Sequence, residues 1–194
     1  MTMYRLHNDI FQKQYIKVDF KAMRQQVKGL KVGFAYKNES LTDRLSAAWE
    51  PAPITYISEV KRADAPDLSV WNACLIMSDQ ARVALSPLLL SYGEFLALEE
   101  GYHLYNCLCS AGGEVIDGDR SKFEIEFEDA LAVPKKLVLN ERNLPKSPLF
   151  KPGFADNTFF ICGEEFKASI EAHGLTGLLF DMDLAQLFPR KPEP

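Results

Sequence analysis

The chain has 194 residues, and its 22 lysines and arginines stand against 27 aspartates and glutamates, a formal net charge of −5. Hydrophobic residues make up 47% and charged residues 25%, which is typical of a globular protein and excludes disordered, collagen-like and coiled-coil chains. No apolar run approaches the roughly 20 residues of a membrane-spanning helix and the first residues show no secretory signal, so we expect a cytoplasmic protein.

The first 70 residues give mixed signals. Residues 15–20 predict a strand, whereas Pro51, Pro53 and Pro66 indicate a stretch that is rich in loops. We expect residues 1–70 to form a variable N-terminal segment, either part of the same globule or a small lobe. An α+β domain is then expected over residues 71–188.

A helix start is well marked after residue 77. Ser78 predicts the N-cap of a helix over residues 79–85, with Leu85 on its apolar side. Proline lacks the N–H that a helix interior needs, so Pro87 predicts a break. Ser86 and Pro87 together are typical of the start of a second short helix.

The next two elements predict a β-hairpin. Residues 94–98 indicate a short strand, and Glu100-Gly101 indicates the turn into a second strand over residues 102–109. The two faces of that second strand carry Tyr102, Leu104, Asn106 and Leu108 on one side and His103, Tyr105, Cys107 and Cys109 on the other. Because both faces are largely apolar, we expect the strand at the centre of a sheet.

The cleanest alternation of the chain lies in residues 122–128. It predicts a half-buried antiparallel strand with Phe123, Ile125 and Phe127 facing inward and the intervening glutamates facing outward. Residues 137–139 and 159–162 predict two further short strands, separated by a proline-rich loop.

The last helix has clear signals at both ends. Glu164 and Glu165 favour its first turn, and Phe166 and Ile170 are expected to face the core. Gly174 predicts a left-handed residue directly after the helix, in a Schellman-type stop. A strand over residues 178–180 and a disordered tail over residues 189–194 complete the prediction. The expected fold class is α+β, an antiparallel sheet with a few short helices packed on it.

The sequence offers no recognisable catalytic motif. It lacks a GxxxxGK[ST] phosphate loop, a GxSxG elbow and an HExxH pair. The cysteines 74, 107, 109 and 162 are interpreted as reduced thiols, because the chain has too few imidazoles and no CxxC pair for a zinc site. His103 and Cys107 share a strand face but lie about 13 Å apart, beyond hydrogen-bonding reach. We therefore expect no enzyme, no catalytic residue, no cofactor and no metal.

Charge is segregated along the chain. Residues 1–37 have a net charge of +6, whereas residues 94–129 hold ten acidic and two basic residues, a net charge of −8. One interpretation is an acidic surface that attracts a basic macromolecule, and the alternative is an ordinary solvated face. Asp117 and Asp119 are interpreted as turn residues rather than a calcium loop. The candidate partner-binding residues are Glu99, Glu100, Asp117, Asp119, Glu124, Glu126 and Glu128.

Three segments of the chain have a characteristic order and spacing. The first is MSDQARVAL at residues 77–85 with GEFL at 93–96, and the second is YHLYNCL at 102–108 with Ile116-Asp117 and Ser121-Lys122-Phe123. The third is FKASIEA at 166–172, which closes on GLTGLLF at 174–180. Together they resemble the immunity protein 11 family of bacteria over roughly half of the chain. Ser86-Pro87 departs from that family, whose helix is more continuous here.

The resemblance implies a cytoplasmic protein that binds and neutralises a cognate antibacterial toxin, delivered by secretion or by contact. It implies a toxin protein encoded by a neighbouring gene as the partner, with no nucleic acid and no membrane involved. It supplies no catalytic residue. The alternative is a non-enzymatic ligand-binding or regulatory module in which the basic N-terminal segment contacts an anionic ligand.

Overall fold

Twelve strands and two α-helices make up the part of the chain that the structure describes, which is residues 1–18, 44–57, 65–71, 74–124, 133–153 and 159–191 of a computed structural model. The strands are β1 (Met3–Asn8), β2 (Tyr15–Val18), β3 (Ile54–Ile57), β4 (Leu68–Trp71), β5 (Cys74–Ser78), β6 (Gly93–Ala97), β7 (Tyr102–Cys107), β8 (Lys122–Glu124), β9 (Val133–Lys136), β10 (Leu149–Phe150), β11 (Ile161–Gly163) and β12 (Leu178–Asp181). The helices are α1 (Asp79–Leu89) and α2 (Glu164–Ala172). All strand pairs within the sheets are antiparallel, which confirms the predicted α+β class.

The strands form two four-stranded sheets and two two-stranded ones. The first large sheet has the order β10-β11-β1-β12, and the second has the order β4-β5-β7-β6. The small sheets are β2-β3 and β8-β9. The N-terminal strand β1 thus lies between two strands from the last third of the chain, so residues 3–8 belong to the same globule as residues 161–181.

Polar side chains join the two large sheets where β4 meets β1 and β12. The amide of Asn8 donates to the carbonyl of Val70 at 2.8 Å and accepts from the Val70 N–H at 2.6 Å, as a neighbouring strand would. The carboxylate of Asp67 accepts from the N–H and hydroxyl of Thr176, both at 2.9 Å, and from the hydroxyl of Ser78 at 3.0 Å. The partly buried polar groups in this junction are therefore paired with one another.

Three clusters of buried side chains form the interior. Core 1 lies between the helices and both large sheets and includes Leu6, Leu75, Met77, Leu85, Tyr105, Phe160, Phe166 and Ile170. Core 2 lies on the opposite face of β5 and β7 and includes Ile16, Ala52, Ile76, Leu98 and Leu104. Core 3 lies beside β10 and β11 and includes Val115, Leu139, Phe150, Phe159, Ile161 and Leu184. Because β7 contributes to core 1 and to core 2, its predicted central position is confirmed.

The predicted break at Pro87 is wrong, because α1 is one helix from residue 79 to residue 89. Ser78 caps it as predicted, accepting the N–H of Ala81 at 3.1 Å. Proline 87 leaves the carbonyl of Val83 without its helical donor, and the Val83 side chain is 64% exposed. Water can reach that carbonyl on the exposed face, while Ala81, Leu85 and Leu89 keep the opposite face buried.

The region after β7 differs most from the sequence prediction. β8 is described only over residues 122–124, and it pairs with β9. The strand predicted at residues 137–139 is wrong, because the strand lies at residues 133–136 and Leu139 forms only an isolated bridge with Ile116. The prediction that Phe123 faces inward is wrong, because its side chain is 41% exposed and all three residues of β8 lie at the surface. Ile125 and Phe127 lie outside the described residues.

The predicted C-terminal helix is confirmed in detail. Phe166 and Ile170 are buried, and Lys167 pairs with Glu171 at 3.0 Å. Gly174 has a φ of 60°. The N–H of Leu175 donates to the carbonyl of Ile170 at 3.0 Å, which completes the Schellman stop. In the tail, Arg190 pairs with Asp183 at 2.6 Å, and residues 192–194 lie outside the described part.

A substitution at Gly93 tests whether β6 packs closely against β7. A Cβ at this position would lie 2.5 Å from Cζ of Tyr105 and 2.6 Å from the carbonyl oxygen of Asn106. The clash involves backbone and a fully buried ring, so we expect Gly93→Ala to lower the free energy of unfolding by about 1–3 kcal/mol in urea titrations. Gly113→Ala is the matched control, because a Cβ there meets no atom within 4 Å. Equal stability of the two variants would contradict this packing.

For Pro87 in α1 we expect the opposite effect, a gain in stability on substitution. Pro87→Ala restores the hydrogen bond to the carbonyl of Val83 and should raise the free energy of unfolding by about 1–3 kcal/mol. The control is Pro145→Ala, because Pro145 lies in a loop and its replacement forms no helical hydrogen bond. A lower free energy of unfolding in Pro87→Ala, measured by urea titration, would contradict this expectation and show that Pro87 stabilises the fold.

Candidate functional site

The five predicted partner-binding residues that the structure describes lie in separate parts of the fold. Glu99 and Glu100 lie in the turn between β6 and β7, next to Leu98 of core 2. Asp117 and Asp119 lie in the turn before β8, next to Ile116 at the border of core 3. Glu124 ends β8, and Glu126 and Glu128 lie outside the described residues. The acidic stretch of sequence is therefore divided between two regions of the surface.

Neighbouring cations offset part of the predicted negative charge. Glu124 pairs with Lys135 of β9 at 2.9 Å, and Asp117 lies 3.7 Å from the guanidinium of Arg120. Asp117 also accepts the N–H of Arg120 at 3.0 Å, as an aspartate in a tight turn does. Asp119 is exposed. The surface around β8 consequently alternates in charge rather than carrying acids alone.

Glu94, the first acid of the stretch, is not a surface residue. It is 6% exposed, and its carboxylate accepts from the N–H of Leu45 at 2.5 Å and from the amide of Asn106 at 2.9 Å. Burial by itself would raise the pKa of Glu94, but these hydrogen bonds and those from Ser46 stabilise the charged form and lower it. Glu94 therefore ties residues 45–46 to β6 and β7.

Exposed apolar side chains lie beside β8 and β9. The segment after β12 presents Leu187 at 43% exposure and Phe188 at 75%, and it forms a groove of about 270 Å³ with Val133 and Pro134 of β9. Phe123 of β8 is also exposed. We use the name β8–β9 face for exposed residues of this small sheet, Phe123, Glu124 and Lys135, together with Leu187 and Phe188 of the segment beside β9. Large exposed aromatic residues with a charged rim are typical of protein interaction surfaces.

The four cysteines are free thiols in the structure, as the sequence predicts. Burial raises the pKa of Cys107 to about 12 and that of Cys74 to about 11, so these thiols are protonated at neutral pH. His103 does not face a thiol, because its Nε2 lies 2.7 Å from the carboxylate of Asp79. His173 bonds the carbonyl of Ser169 at 2.8 Å, as expected of an imidazole at a helix end.

Two cationic or titratable side chains on β1 are buried, and the sequence analysis did not single them out. Arg5 is 6% exposed and His7 is 7% exposed. Within the described residues, Nε of Arg5 and Nε2 of His7 have no hydrogen-bond partner. Nη1 of Arg5 donates to the carbonyl of Leu184 at 3.1 Å, and the guanidinium stacks on the ring of Phe159, 3.9 Å from its centroid.

Burial changes the proton affinity of both side chains. Desolvation, together with the nearby positive charge of Arg5, lowers the pKa of His7 to about 4, and the negative charge of Asp181 opposes this shift. Desolvation also lowers the pKa of Arg5 to about 10, against the favourable field of Asp181 and Asp183. At neutral pH, His7 is therefore neutral and Arg5 is charged.

One sequence signal for these residues exists, but it points to the wrong environment. The order Tyr4, Arg5, Leu6, His7 alternates between apolar and polar side chains, which is typical of a half-buried strand with its polar face in water. In the structure the polar face of β1 is covered by Phe159 and the C-terminal segment. Only the position of that distant segment shows that Arg5 and His7 are enclosed.

Comparisons with known proteins add no family or relative: no family model matches the chain, and no curated protein matches its sequence. In the part of the chain that the structure describes, no helix is long and apolar enough to cross a membrane. The same residues contain no group of three or more His, Cys, Asp or Glu side chains placed to hold a metal ion.

The buried imidazole predicts a pH dependence of stability. The unfolded chain protonates His7 near pH 6.5, whereas the folded protein keeps it neutral down to about pH 4. Between these values the unfolded state binds more protons, so this residue lowers the free energy of unfolding by about 2–3 kcal/mol as the pH falls from 6.5 to 4. His7→Gln should lose that part of the pH dependence in urea titrations.

The control for this prediction is His173→Gln, the same substitution at an exposed imidazole. Carboxylates also titrate in this range, so the informative quantity is the difference between wild type and variant at each pH. A constant difference from pH 7 to pH 4 would mean that the folded protein protonates His7 as readily as the unfolded chain.

Proposed function

We propose that the protein is a bacterial immunity protein, which binds a cognate toxin and neutralises it by direct contact. In this proposal the chain performs no chemical step, and its partner is a toxin protein encoded by a neighbouring gene. In this proposal the protein is located in the cytoplasm of the cell that makes the toxin, and it protects that cell from its own toxin.

The observation that carries the proposal is the way the three resembling segments fold. The first supplies Met77, Ala81 and Leu85, and the second supplies Tyr105 and Cys107. The third supplies Phe166, Ile170 and Leu175, and all eight side chains are buried in core 1. Segments far apart in sequence thus form one packed unit, which supports the view that their spacing reflects a common scaffold.

The β8–β9 face is the surface that best suits a protein partner. Phe123, Leu187 and Phe188 offer apolar and aromatic area, and such residues supply most of the binding energy at protein interfaces. Asp119 and Glu124 lie close along the chain to this area, together with Glu126 and Glu128. Acidic residues at the rim accelerate association with a basic toxin more than they strengthen the final complex. We assign toxin binding to this face.

A second candidate function is a non-enzymatic ligand-binding module, and one observation favours it. The unpartnered nitrogens of Arg5 and His7 are the kind of buried polar groups that a ligand satisfies. This function would not need a toxin gene nearby, whereas the immunity function would.

Co-expression tests the immunity function. We expect this chain to protect a host cell against the C-terminal domain of the toxin encoded beside it and to co-purify with that domain at 1:1 stoichiometry. The measurements are colony survival on toxin induction and binding by calorimetry. A neighbouring toxin that kills equally well in the presence of this chain, with no complex formed, would contradict the proposal.

Substitutions test the assigned surface separately. Leu187→Ala with Phe188→Ala should weaken toxin binding by at least about 30-fold, because large exposed apolar anchors dominate binding energy. The matched control is Leu90→Ala, which removes a leucine that is 65% exposed beyond α1. Reversal of Glu124, Glu126 and Glu128 to lysine should slow association and reduce its salt dependence, whereas Glu165→Lys on α2 should not. If the apolar variant and the charge-reversal variant both bind the toxin as the wild type does and still protect the cell, the toxin binds at another surface.

A further inference from the structure

The outer face of α1 is uncharged over most of its length. Residues 83–92 contain no charged side chain, and the helical path includes Leu90, whose N–H donates to the carbonyl of Ser86. Val83 is 64% exposed, Leu90 is 65% exposed, and Pro87 between them is exposed as well. A helix face that meets only water normally carries charged residues, whereas a helix that is apolar all round is normally covered.

The three exposed apolar side chains form one stripe along α1. Val83, Pro87 and Leu90 follow one another at spacings of four and three residues, so they lie within about 60° of each other around the helix axis. The side chains that α1 buries in core 1 lie on the opposite side of the helix. Its charged residues are Asp79 and Arg82, which lie near its N-terminal end and pair with each other at 3.4 Å. We call Val83, Pro87 and Leu90 the α1 stripe.

A groove of about 580 Å³ runs beside the first half of the α1 stripe. It is lined by apolar residues of α1 and by polar residues at its end, namely Val83, Ala84, Pro87, Asp79, Gln80 and His173. Leu90 lies about 10 Å further along the helix axis than Val83, at 1.5 Å per residue. One surface thus carries an exposed leucine and, two turns away, a groove with an apolar lining.

A second copy of this chain presents the complement of that surface. When two copies of α1 pack antiparallel about a twofold axis near residues 86–87, Leu90 of each copy meets Val83 and the groove of the other. Pro87 then lies close to the axis. Both contacts form at once, as an interface between identical surfaces requires.

The charges of α1 are compatible with this antiparallel pairing. Asp79 is bonded to Nε2 of His103 at 2.7 Å and to Arg82 at 3.4 Å, so it needs no cation from a partner. The first turn of each helix lies beside residues 90–92 of the other copy, which carry no charge. The positive end of each helix dipole also lies near the negative end of the other. An anionic lipid surface, in contrast, would find one cation on α1, and Arg82 is already paired.

We propose that this chain forms a twofold-symmetric dimer through α1, in which the α1 stripes of two copies pack antiparallel and each Leu90 occupies the groove beside the other copy's Val83. One helix pair buries less area than the roughly 1,600 Å² of a standard interface, so the dimer is weak and reversible. The α1 stripe and its groove share no residue with the β8–β9 face, so this dimer is independent of the proposed toxin-binding function.

Sedimentation equilibrium of the full chain, without any toxin, tests the dimer. Between about 5 µM and 1 mM the apparent mass should rise from that of a monomer toward twice that value, with a dissociation constant of about 10–300 µM, as suits a small interface. Leu90→Glu should weaken the dimer at least about tenfold, because it would bury an unpaired carboxylate in both symmetric contacts. Leu90 is exposed, so the variant should keep the wild-type circular dichroism spectrum.

Met182→Glu is the matched control, because Met182 is an apolar side chain that is 70% exposed outside α1. It should dimerise as the wild type does. A wild-type chain that stays monomeric at 1 mM, or a folded Leu90→Glu variant that dimerises as well as the wild type, would overturn the proposal.

A charge-pair experiment tests the antiparallel register. Val83→Glu and Leu90→Lys should each dimerise at least about tenfold more weakly than the wild type. Mixed in equal amounts, they should form a heterodimer at least about tenfold tighter than either variant forms alone. In that heterodimer the introduced carboxylate and ammonium meet at one contact, while the other contact keeps its valine and leucine. In a parallel pair the two new charges would not meet, so no gain on mixing would overturn the proposal.

Two further results would assign the association or the α1 stripe differently. Loss of the dimer in Phe188→Glu, with Leu90→Glu unaffected, would place self-association on the β8–β9 face. Co-sedimentation of the wild type, but not of Leu90→Glu, with phosphatidylglycerol vesicles at 5 µM protein would assign the α1 stripe to a lipid surface. Either result would overturn the proposal, and neither depends on whether a toxin is bound.

Discussion

Burial of β1 on both faces is the constraint around which this structure is organised. Its ladders with β11 and β12 satisfy the backbone, and Tyr4 and Leu6 fill core 1 on one face. The other face must then enclose Arg5 and His7, whose desolvation costs free energy that their few hydrogen bonds do not return. Proteins keep such costly groups at functional sites more often than elsewhere.

The same strand explains why the second half of the chain is not a self-sufficient unit. Residues 77–85, 102–108 and 166–175 supply much of core 1, but Leu6 and Leu68 complete that core from the N-terminal side. Asn8 and Asp67 then join the two large sheets through paired hydrogen bonds. The N-terminal segment and the rest of the chain are therefore physically interdependent, since removing either one would expose core 1.

Charge along the sequence and charge on the surface are different quantities in this protein. Glu94 lies inside, where hydrogen bonds from Leu45 and Asn106 hold its carboxylate, while Glu99 and Glu124 occupy separate regions. Lys135 offsets Glu124. Net charge of a segment thus indicates how the protein attracts a partner from a distance, whereas the exposed rings of Phe123 and Phe188 indicate where a partner can gain binding energy.

Local signals by themselves determined the fold class, the cap of α1 at Ser78, the two-sided burial of β7 and the whole of α2 with its stop at Gly174. Capping, periodicity and glycine geometry act within a few residues, so the sequence shows them directly. Tertiary structure decided the rest. Alternation shows which side chains share a face, but whether a face is buried depends on what distant segment covers it. For that reason Phe123 is exposed, α1 continues through Pro87, and Arg5 and His7 lie enclosed beneath residues 184–189.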